Sequence, residues 1–161
     1  MEKNVRFAVV GTGHIGRRHI EMIMRNPSAE LVAVCDIDPD QVNPYQKSCS
    51  VYFKLTELLE KEPDVDVVCI CTPNGHHIDQ AVQVIQHEKH VVVEKPMGLS
   101  KESCERLMNV ASERDKTIFC VMQNRYSPPS LWAKKWFNQD WSEIFFQCML
   151  IVFGIVMIDT I

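Results

Sequence analysis

The sequence predicts an α/β fold, in which a doubly wound and mostly parallel sheet has helices on both of its faces. Short apolar segments of strand length alternate along the chain with segments whose apolar residues recur at helical spacing. The segment VDVVCICT at residues 65–72 is almost continuously apolar, which is typical of a strand covered on both faces of a parallel sheet. A glycine-rich turn at residues 11–16 joins the first strand segment to the first helical segment. These three observations favour successive β-α-β units with right-handed connections.

Six short apolar segments predict the strands, and five further segments predict helices. The strand segments are residues 5–10, 30–36, 51–53, 65–72, 90–94 and 117–122. The helical segments are residues 15–25, 57–61, 77–88, 101 to about 114, and 130–137. Thr56 and Ser100 are the predicted N-caps of the second and fourth helices, and Pro129 suits the first turn of the last one. Residues 37–50 are polar and contain Pro39 and Pro44, so any helix there is short.

Composition excludes several classes of protein. Of 161 residues, 46% are apolar and 24% are charged, which excludes global disorder and a fibrous repeat. The net charge of -4 excludes the broad basic field that a nucleic-acid partner requires.

His76 and His77 are adjacent and cannot share a helix face, while His87 and His90 straddle a helix end and a strand start. We therefore predict no metal site.

The seven cysteines are irregularly spaced and odd in number. Cys35, Cys69, Cys71 and Cys120 fall in apolar segments, which predicts reduced thiols packed as small residues of buried strands. Cys69 and Cys71 are one residue apart on a predicted strand, so their side chains point to opposite faces. The pair is therefore neither a redox motif nor a zinc motif.

The turn at residues 11–16, GTGHIG, has the G-x-G-x-x-G pattern between a strand and a helix. In this pattern Gly11 permits the tight turn, Gly13 lets the main chain approach a diphosphate, and Gly16 lets the helix pack closely on the strand. The helix N-terminus then offers N–H groups and a positive dipole end to the phosphates. Asp36, at the end of the second strand segment and 20 residues after Gly16 (36 − 16), completes the dinucleotide-binding pattern.

The residues around Asp36 favour NAD over NADP as the cofactor. An aspartate accepts both ribose hydroxyls of an adenosine and repels a 2′-phosphate. Ile37-Asp38 follows Asp36 directly, so a second acidic residue strengthens this preference. His14 and Ile15 stand where small residues are frequent, and the side chain of His14 faces either the nicotinamide or the solvent.

Three further motifs follow the last three predicted strands of the sheet, at the edge where open α/β sheets bind ligands. They are CTPNGHH at residues 71–77, EKP at residues 94–96 and QNR at residues 123–125. Together with the glycine motif, they resemble the Gfo/Idh/MocA family of oxidoreductases, whose most specific mark is Glu-Lys-Pro at this position. The resemblance covers residues 5 to about 137 and is strongest to members that act on UDP-N-acetylglucosaminuronate-type sugar nucleotides in bacterial polysaccharide synthesis.

The resemblance implies a Rossmann domain for an NAD-dependent sugar or sugar-nucleotide dehydrogenase, which transfers hydride from a ring hydroxyl carbon to NAD. Lys95 is the implied catalytic residue, because an ammonium beside the reacting alcohol stabilises a developing alkoxide. His77 is either a cofactor contact or a helix-start residue satisfied by the protein itself. Substrate contacts are expected from Lys95, Asn124 and Arg125. Cofactor contacts are expected from Gly11, Gly13, His14, Ile15, Gly16, Asp36, Thr72, Pro73, Asn74, His77, Glu94, Lys95 and Gln123.

The predicted organisation is an NAD-binding domain at residues 1–127, a helix at 128–139 that leads toward the family's second domain, and an apolar tail at 140–161. The resemblance implies that the missing domain supplies the substrate pocket and a catalytic histidine, and no histidine follows His90 here. We hypothesise that a frameshift near residue 139 replaced the family's second domain with this apolar tail. The alternative is a membrane anchor, although residues 144–158 are shorter than the roughly 20 apolar residues that a span needs.

We therefore expect a cytoplasmic NAD-dependent oxidoreductase without a nucleic-acid or membrane partner, whose full-length relatives form homo-oligomers. The chain by itself is expected to bind NAD(H) weakly and to turn nothing over. Two alternatives remain open. One is a dinucleotide-binding module without catalysis, and the other is a membrane-tethered protein.

Overall fold

The computed structural model describes residues 4–137, and within them six strands form one sheet in which every paired strand runs parallel to its neighbour. This architecture confirms the predicted α/β class. The strands are β1 (Val5–Val10), β2 (Ala29–Cys35), β3 (Ser50–Tyr52), β4 (Val67–Ile70), β5 (His90–Val93) and β6 (Ile118–Cys120).

The α-helices of the described residues alternate with these strands along the chain. They are α1 (His14–Arg25), α2 (Pro39–Val42), α3 (Leu55–Lys61), α4 (His77–Gln86), α5 (Lys101–Glu113) and α6 (Pro128–Phe137). Contacts divide the chain into two compact units, of which the first ends at Val121 and the second begins at Met122. The sheet and α1 to α5 belong to the first unit, whereas the sequence placed its domain boundary after residue 127.

The strand order is β3-β2-β1-β4-β5-β6, so the chain reverses its direction of travel across the sheet after β3. The strands β1 and β4 lie side by side at the reversal, with Val10 paired to Ile70. The connections leaving β1 and β4 therefore diverge to opposite sides and leave a crevice at their carboxyl ends. This crevice is where an open α/β sheet binds its ligand.

Two apolar cores lie on the two faces of the sheet. Successive residues of a strand point to opposite faces, so Ala8 and Val10 enter one core while Val9 enters the other. The larger core is closed by α3, α4 and α5, and the smaller one by α1 and α2. The helical side chains buried in them are Leu58, Ile85 and Leu107 on the first face, and Ile20, Ile23 and Val42 on the second. Full burial of such a side chain contributes about 1.5–3 kcal/mol.

Capping residues show one confirmed and one wrong prediction. Ser100 caps α5, because its hydroxyl accepts the N–H of Ser103 while the hydroxyl of Ser103 accepts the N–H of Ser100. Thr56 was predicted to cap a helix that begins at residue 57, but α3 begins two residues earlier, at Leu55, and its N-cap is Lys54, which is extended and makes no side-chain cap. Leu55 is 9% exposed and packs in the core as the first residue of the helix. Thr56 therefore lies inside the helix and does not cap it.

Burial of the cysteines follows the prediction except at Cys120. Cys35, Cys69 and Cys71 are buried and, like every cysteine of the described residues, are not in disulfides. Burial raises the pKa of the Cys69 thiol to about 12, which keeps it protonated at neutral pH. Cys120 was expected in a buried strand but is exposed, because β6 is the outermost strand of the sheet and pairs only with β5 among the described residues.

The second unit begins with a short 3-10 helix at Gln123–Tyr126 and continues into α6. Pro128 and Pro129 occupy the first turn of α6. A main-chain N–H at this place would have no partner within the helix, so proline can stand there without loss of a hydrogen bond. The apolar tail predicted at residues 140–161 lies outside the described residues, and so do the frameshift and membrane-anchor hypotheses that concern it.

Candidate functional site: the crevice at the carboxyl ends of the strands

The turn after β1 depends on Gly11. Its φ angle is +86°, a conformation that other residues rarely adopt, and a Cβ atom there would lie 2.7 Å from the main-chain carbon of Cys71. The N–H of Gly11 donates to the carbonyl of Cys35 at 2.8 Å, which ties the turn to the end of β2. The turn is therefore held between the ends of β2 and β4, the two strands that flank β1.

Gly16 allows α1 to pack directly on this turn. A Cβ atom at Gly16 would lie 1.8 Å from the carbonyl oxygen of Gly11 and 3.5 Å from the Cβ of Cys71. The clash involves main-chain atoms, which cannot rotate away. The glycine thus brings the first turn of α1, whose N–H groups lack partners within the helix, to the end of β1 at the crevice.

Gly13 differs from the other two glycines of the motif. It is the N-cap of α1 with φ −65°, which any residue can adopt, and a Cβ atom there would meet nothing within 4 Å. Within residues 4–137, no side chain caps this helix end. The folded chain itself therefore does not require glycine at this position, whereas a diphosphate against the main chain does. The residues present fit a dinucleotide.

Asp36 follows β2 at the same edge and is half-buried. Its Oδ2 atom accepts the N–H of Thr12 at 2.7 Å and the hydroxyl of Thr12 at 3.2 Å. Its Oδ1 atom accepts the N–H of Asp38 at 3.1 Å. The carboxylate is thus oriented by three donors and lies beside the glycine turn, where an adenosine ribose would place its hydroxyls.

The loop after β4 lines the other side of the crevice. The N–H of Cys71 donates to the carbonyl of Val10 at 2.7 Å, so this loop leaves the sheet next to the glycine turn. The hydroxyl of Thr72 lies 2.6 Å from Oε1 of Gln80 in α4, which positions the loop against the helix. Pro73 and Asn74 are exposed and follow Thr72 directly.

His77, the first residue of α4, joins two of the predicted motifs. Its ring is 1% exposed, with Nε2 2.8 Å from the carbonyl oxygen of Thr72 and Nδ1 2.8 Å from that of Pro96. Both nitrogens therefore contact main-chain carbonyls of the protein. Of the two roles that the sequence left open, this geometry favours the helix-start residue satisfied by the protein over the direct cofactor contact, because a buried ring with both nitrogens engaged offers no polar atom to a ligand.

Glu94 and Lys95 follow β5, and their side chains lie in different environments. Glu94 is 6% exposed, and its Oε1 atom lies 2.9 Å from Nε2 of His19 on α1. Its Oε2 atom accepts the main-chain N–H of Lys95 at 3.1 Å. Lys95 itself is exposed. The buried carboxylate thus fixes the main chain at Lys95 and leaves the ammonium group in the solvent-accessible part of the edge.

The remaining predicted residues divide into two groups. His14 and Ile15 are exposed on the first turn of α1, at the edge of the crevice. Gln123, Asn124 and Arg125 lie in the 3-10 helix of the second unit, and Asn124 and Arg125 are exposed. Their contacts with substrate or cofactor therefore stay predictions.

The structure also adds residues that the sequence did not single out. Thr12 holds Asp36, His19 holds Glu94, and Arg17 lies on the glycine turn, with Nε 3.3 Å from the carbonyl oxygen of Thr12. His19 lies three residues after Gly16, so helical spacing places both on one face of α1. That spacing is the signal that identifies His19 as facing the sheet.

The described residues contain no group of three or more His, Cys, Asp or Glu side chains arranged to hold a metal ion. Within the same residues, no helix is both long and apolar enough to cross a membrane.

Two comparisons with known proteins support an NAD-dependent oxidoreductase. Inositol 2-dehydrogenase from Rhizobium meliloti is 28% identical over 131 residues, which are 81% of this chain and 40% of that protein. The structure of WlbA dehydrogenase from Bordetella pertussis with NADH and UDP-GlcNAcA matches with a TM-score of 0.81 and 32% identity, over 85% of this chain and 43% of that one. The chain thus spans less than half of the length of each of these two relatives.

A third relative shares the fold and the cofactor. Scyllo-inositol dehydrogenase from Lactobacillus casei, solved with NAD(H) and scyllo-inositol, matches with a TM-score of 0.80 and 25% identity, over 85% of this chain and 42% of that one. The family model described as "Oxidoreductase family, NAD-binding Rossmann fold" matches residues 5–122, which include the whole sheet. The protein therefore belongs to this family, Gfo/Idh/MocA, and its sheet is an NAD-binding Rossmann domain.

Proposed function

We propose that this chain holds NAD for a dehydrogenase that oxidises a ring hydroxyl of a sugar or sugar nucleotide. The observation that supports it most directly is the open main chain at Gly13, next to the oriented carboxylate of Asp36. A glycine that the fold does not need, at the N-terminus of a helix, is explained by a diphosphate that approaches the main chain.

Different residues at this edge of the sheet would bind different parts of the cofactor. The N–H groups at the start of α1 would bind the phosphates, and Asp36 would accept the hydroxyls of the adenosine ribose. Thr72, Pro73 and Asn74 would line the nicotinamide ribose, because the strand order places the β4 loop on the side of the crevice away from Asp36. When bound, NAD supplies the hydride acceptor.

Lys95 is the residue that we assign to the reacting alcohol. Its main chain is held by Glu94 while its side chain is exposed, so the ammonium group can reach a substrate at the edge. The ammonium group beside the alcohol oxygen would stabilise the alkoxide that develops as the carbon loses hydride, while the hydroxyl proton would pass to a base of the full-length enzyme, such as the histidine that the family resemblance implies.

Relatives with solved complexes support the proposed substrate class. One holds UDP-GlcNAcA and another holds scyllo-inositol, and both ligands present ring hydroxyls. We favour the sugar-nucleotide class, since the QNR segment at residues 123–125 and Pro96-Met97 resemble the corresponding members of the family. The activity of a full-length protein would also depend on the part of the relatives' length that this chain does not span.

Titration of the 161-residue chain with NADH, followed by nicotinamide fluorescence, tests the binding half of this proposal. We expect saturable binding by the wild type and its loss in Gly13→Val, whose side chain fills the space that the diphosphate needs. Circular dichroism spectra of both proteins control for folding. Equal signals from wild type and variant contradict the proposal.

A non-catalytic dinucleotide-binding module would share the glycine turn but would not need Lys95. A crystal structure of the chain with NADH distinguishes the two functions. We expect the Lys95 amine on the nicotinamide side of the crevice. An amine directed away from the nicotinamide contradicts catalysis and leaves the binding module.

A further inference from the structure

Thr12 is fully buried, and both of its hydrogen-bond donors go to one oxygen of another residue. Its N–H and its hydroxyl donate to the same oxygen, Oδ2 of Asp36, at 2.7 and 3.2 Å. The N–H of Asp38 donates to the other oxygen at 3.1 Å. Donors on both oxygens restrict the carboxylate to one rotamer and keep its negative charge at the end of β2.

A positive group on α1 contacts the same turn. The Nε atom of Arg17 donates to the carbonyl of Thr12 at 3.3 Å, and its Nη2 atom donates to Oε1 of Gln41 at 2.8 Å. Gln41 belongs to α2, the short helix that follows Asp36. The guanidinium thus bridges the glycine turn and the segment after Asp36, and it is exposed.

Two groups at this edge of the sheet therefore act in opposite directions on a 2′-phosphate. A carboxylate repels the phosphate of NADP, and a guanidinium binds phosphate through paired N–H groups. The sequence around Asp36 showed only the first of these groups, because Arg17 is on another element of the fold. Which preference prevails depends on whether Asp36 can turn away from the ribose.

We propose that Thr12 is a positioning residue that sets the preference for NAD over NADP. Its two hydrogen bonds hold Asp36 against the ribose position, so that a 2′-phosphate meets a fixed negative charge before it can reach Arg17. Without the hydroxyl, only the main-chain N–H groups of Thr12 and Asp38 restrain Asp36, so its carboxylate turns toward solvent more readily and the guanidinium becomes more available to the phosphate. The inference rests on the proposed function and extends it to cofactor specificity.

The test is the ratio of the dissociation constants of NADPH and NADH, measured by fluorescence titration at one ionic strength. Thr12→Val keeps the shape and the main-chain N–H but removes the hydroxyl, and Thr12→Ser restores the hydroxyl. We expect the ratio to fall about tenfold in the valine variant, the scale of one hydrogen bond to a charged group, and to return in the serine variant. In the double variant Thr12→Val/Arg17→Gln, NADPH should again bind weakly.

An unchanged ratio in folded Thr12→Val overturns the inference, and so does NADPH binding by the double variant as strong as by Thr12→Val. A crystal structure of the wild-type chain with NADH provides a second measurement that needs no variant. Asp36 should keep both contacts with Thr12, and separation of the two residues in the complex overturns the inference. Failure of the wild type to bind either dinucleotide instead contradicts the proposed function.

Discussion

The imidazole of His19 lies 2.9 Å from the carboxylate of Glu94, with Nε2 facing Oε1, and this contact joins helix α1 to the end of β5. Both side chains are largely shielded, at 18% and 7% exposure. The same carboxylate accepts the N–H of Lys95. The position of the proposed catalytic lysine thus depends on a histidine 76 residues earlier in the chain (95 − 19).

Replacing His19 by alanine should destabilise the fold, because it leaves the buried carboxylate of Glu94 without its side-chain partner. We expect a loss of about 2–3 kcal/mol in the free energy of unfolding, measured by urea denaturation. Lys101→Ala is the control, since its ion pair with Glu105 is exposed at both ends and contributes less than about 1 kcal/mol. Equal losses in the two variants would show that the His19–Glu94 contact is not a buried interaction.

Alanine substitutions at two glycines of the motif should separate folding from binding. Gly16→Ala places a Cβ atom 1.8 Å from a main-chain oxygen, so we expect a loss of more than about 3 kcal/mol in the free energy of unfolding. Gly13→Ala meets no atom within 4 Å and should change stability by less than about 1 kcal/mol. Thermal unfolding and NADH titration of both variants check this difference. A stable Gly16→Ala protein would contradict the packing described for α1.

His77→Leu should destabilise the sheet edge by about 2 kcal/mol, because the buried carbonyls of Thr72 and Pro96 lose the ring that contacts them. His76→Leu is the matched control, since His76 is the preceding residue and is exposed. Urea denaturation of the two variants measures the difference. If His77→Leu were as stable as the control and bound NADH more weakly, the ring would be a cofactor contact after all.

Alkaline pH should destabilise the protein through its buried thiols. Burial raises the pKa of Cys69 from 9.0 to about 12, so above pH 9 the unfolded chain loses this proton while the folded chain retains it. The stability that the protonated thiol contributes is therefore complete below pH 9 and is lost as the pH rises toward 12. Between pH 9 and 10 the loss from this thiol is about 1 kcal/mol.

Urea denaturation of the wild type and of Cys69→Ala across this pH range measures the effect. The alanine variant starts from a lower stability because of the lost packing, but its decline with pH should be less steep. Parallel declines in the two proteins would show that Cys69 ionises equally in both states.

Local patterns were sufficient to predict the elements and the glycine turn. The apolar run at residues 5–10 forms β1, the centre of the run at 65–72 forms β4 (Val67–Ile70), and the helical spacing at 77–88 forms α4 (His77–Gln86). Each of these signals arises from interactions among near neighbours in the chain, which periodicity records directly. The spacing from Gly16 to Asp36 also predicts the βαβ unit, because its length is set by one helix and one strand.

Only the tertiary structure decided how the predicted motifs are connected. The contacts of Thr12 with Asp36, of His19 with Glu94 and of His77 with Pro96 span 24, 75 and 19 residues of sequence. A hydrogen bond between distant residues depends on strand order and on the angle at which helices pack, and neither leaves a periodic trace in the sequence. For the same reason the burial of Glu94 and the exposure of Lys95, adjacent residues of one motif, became visible only when α1 was placed against the sheet.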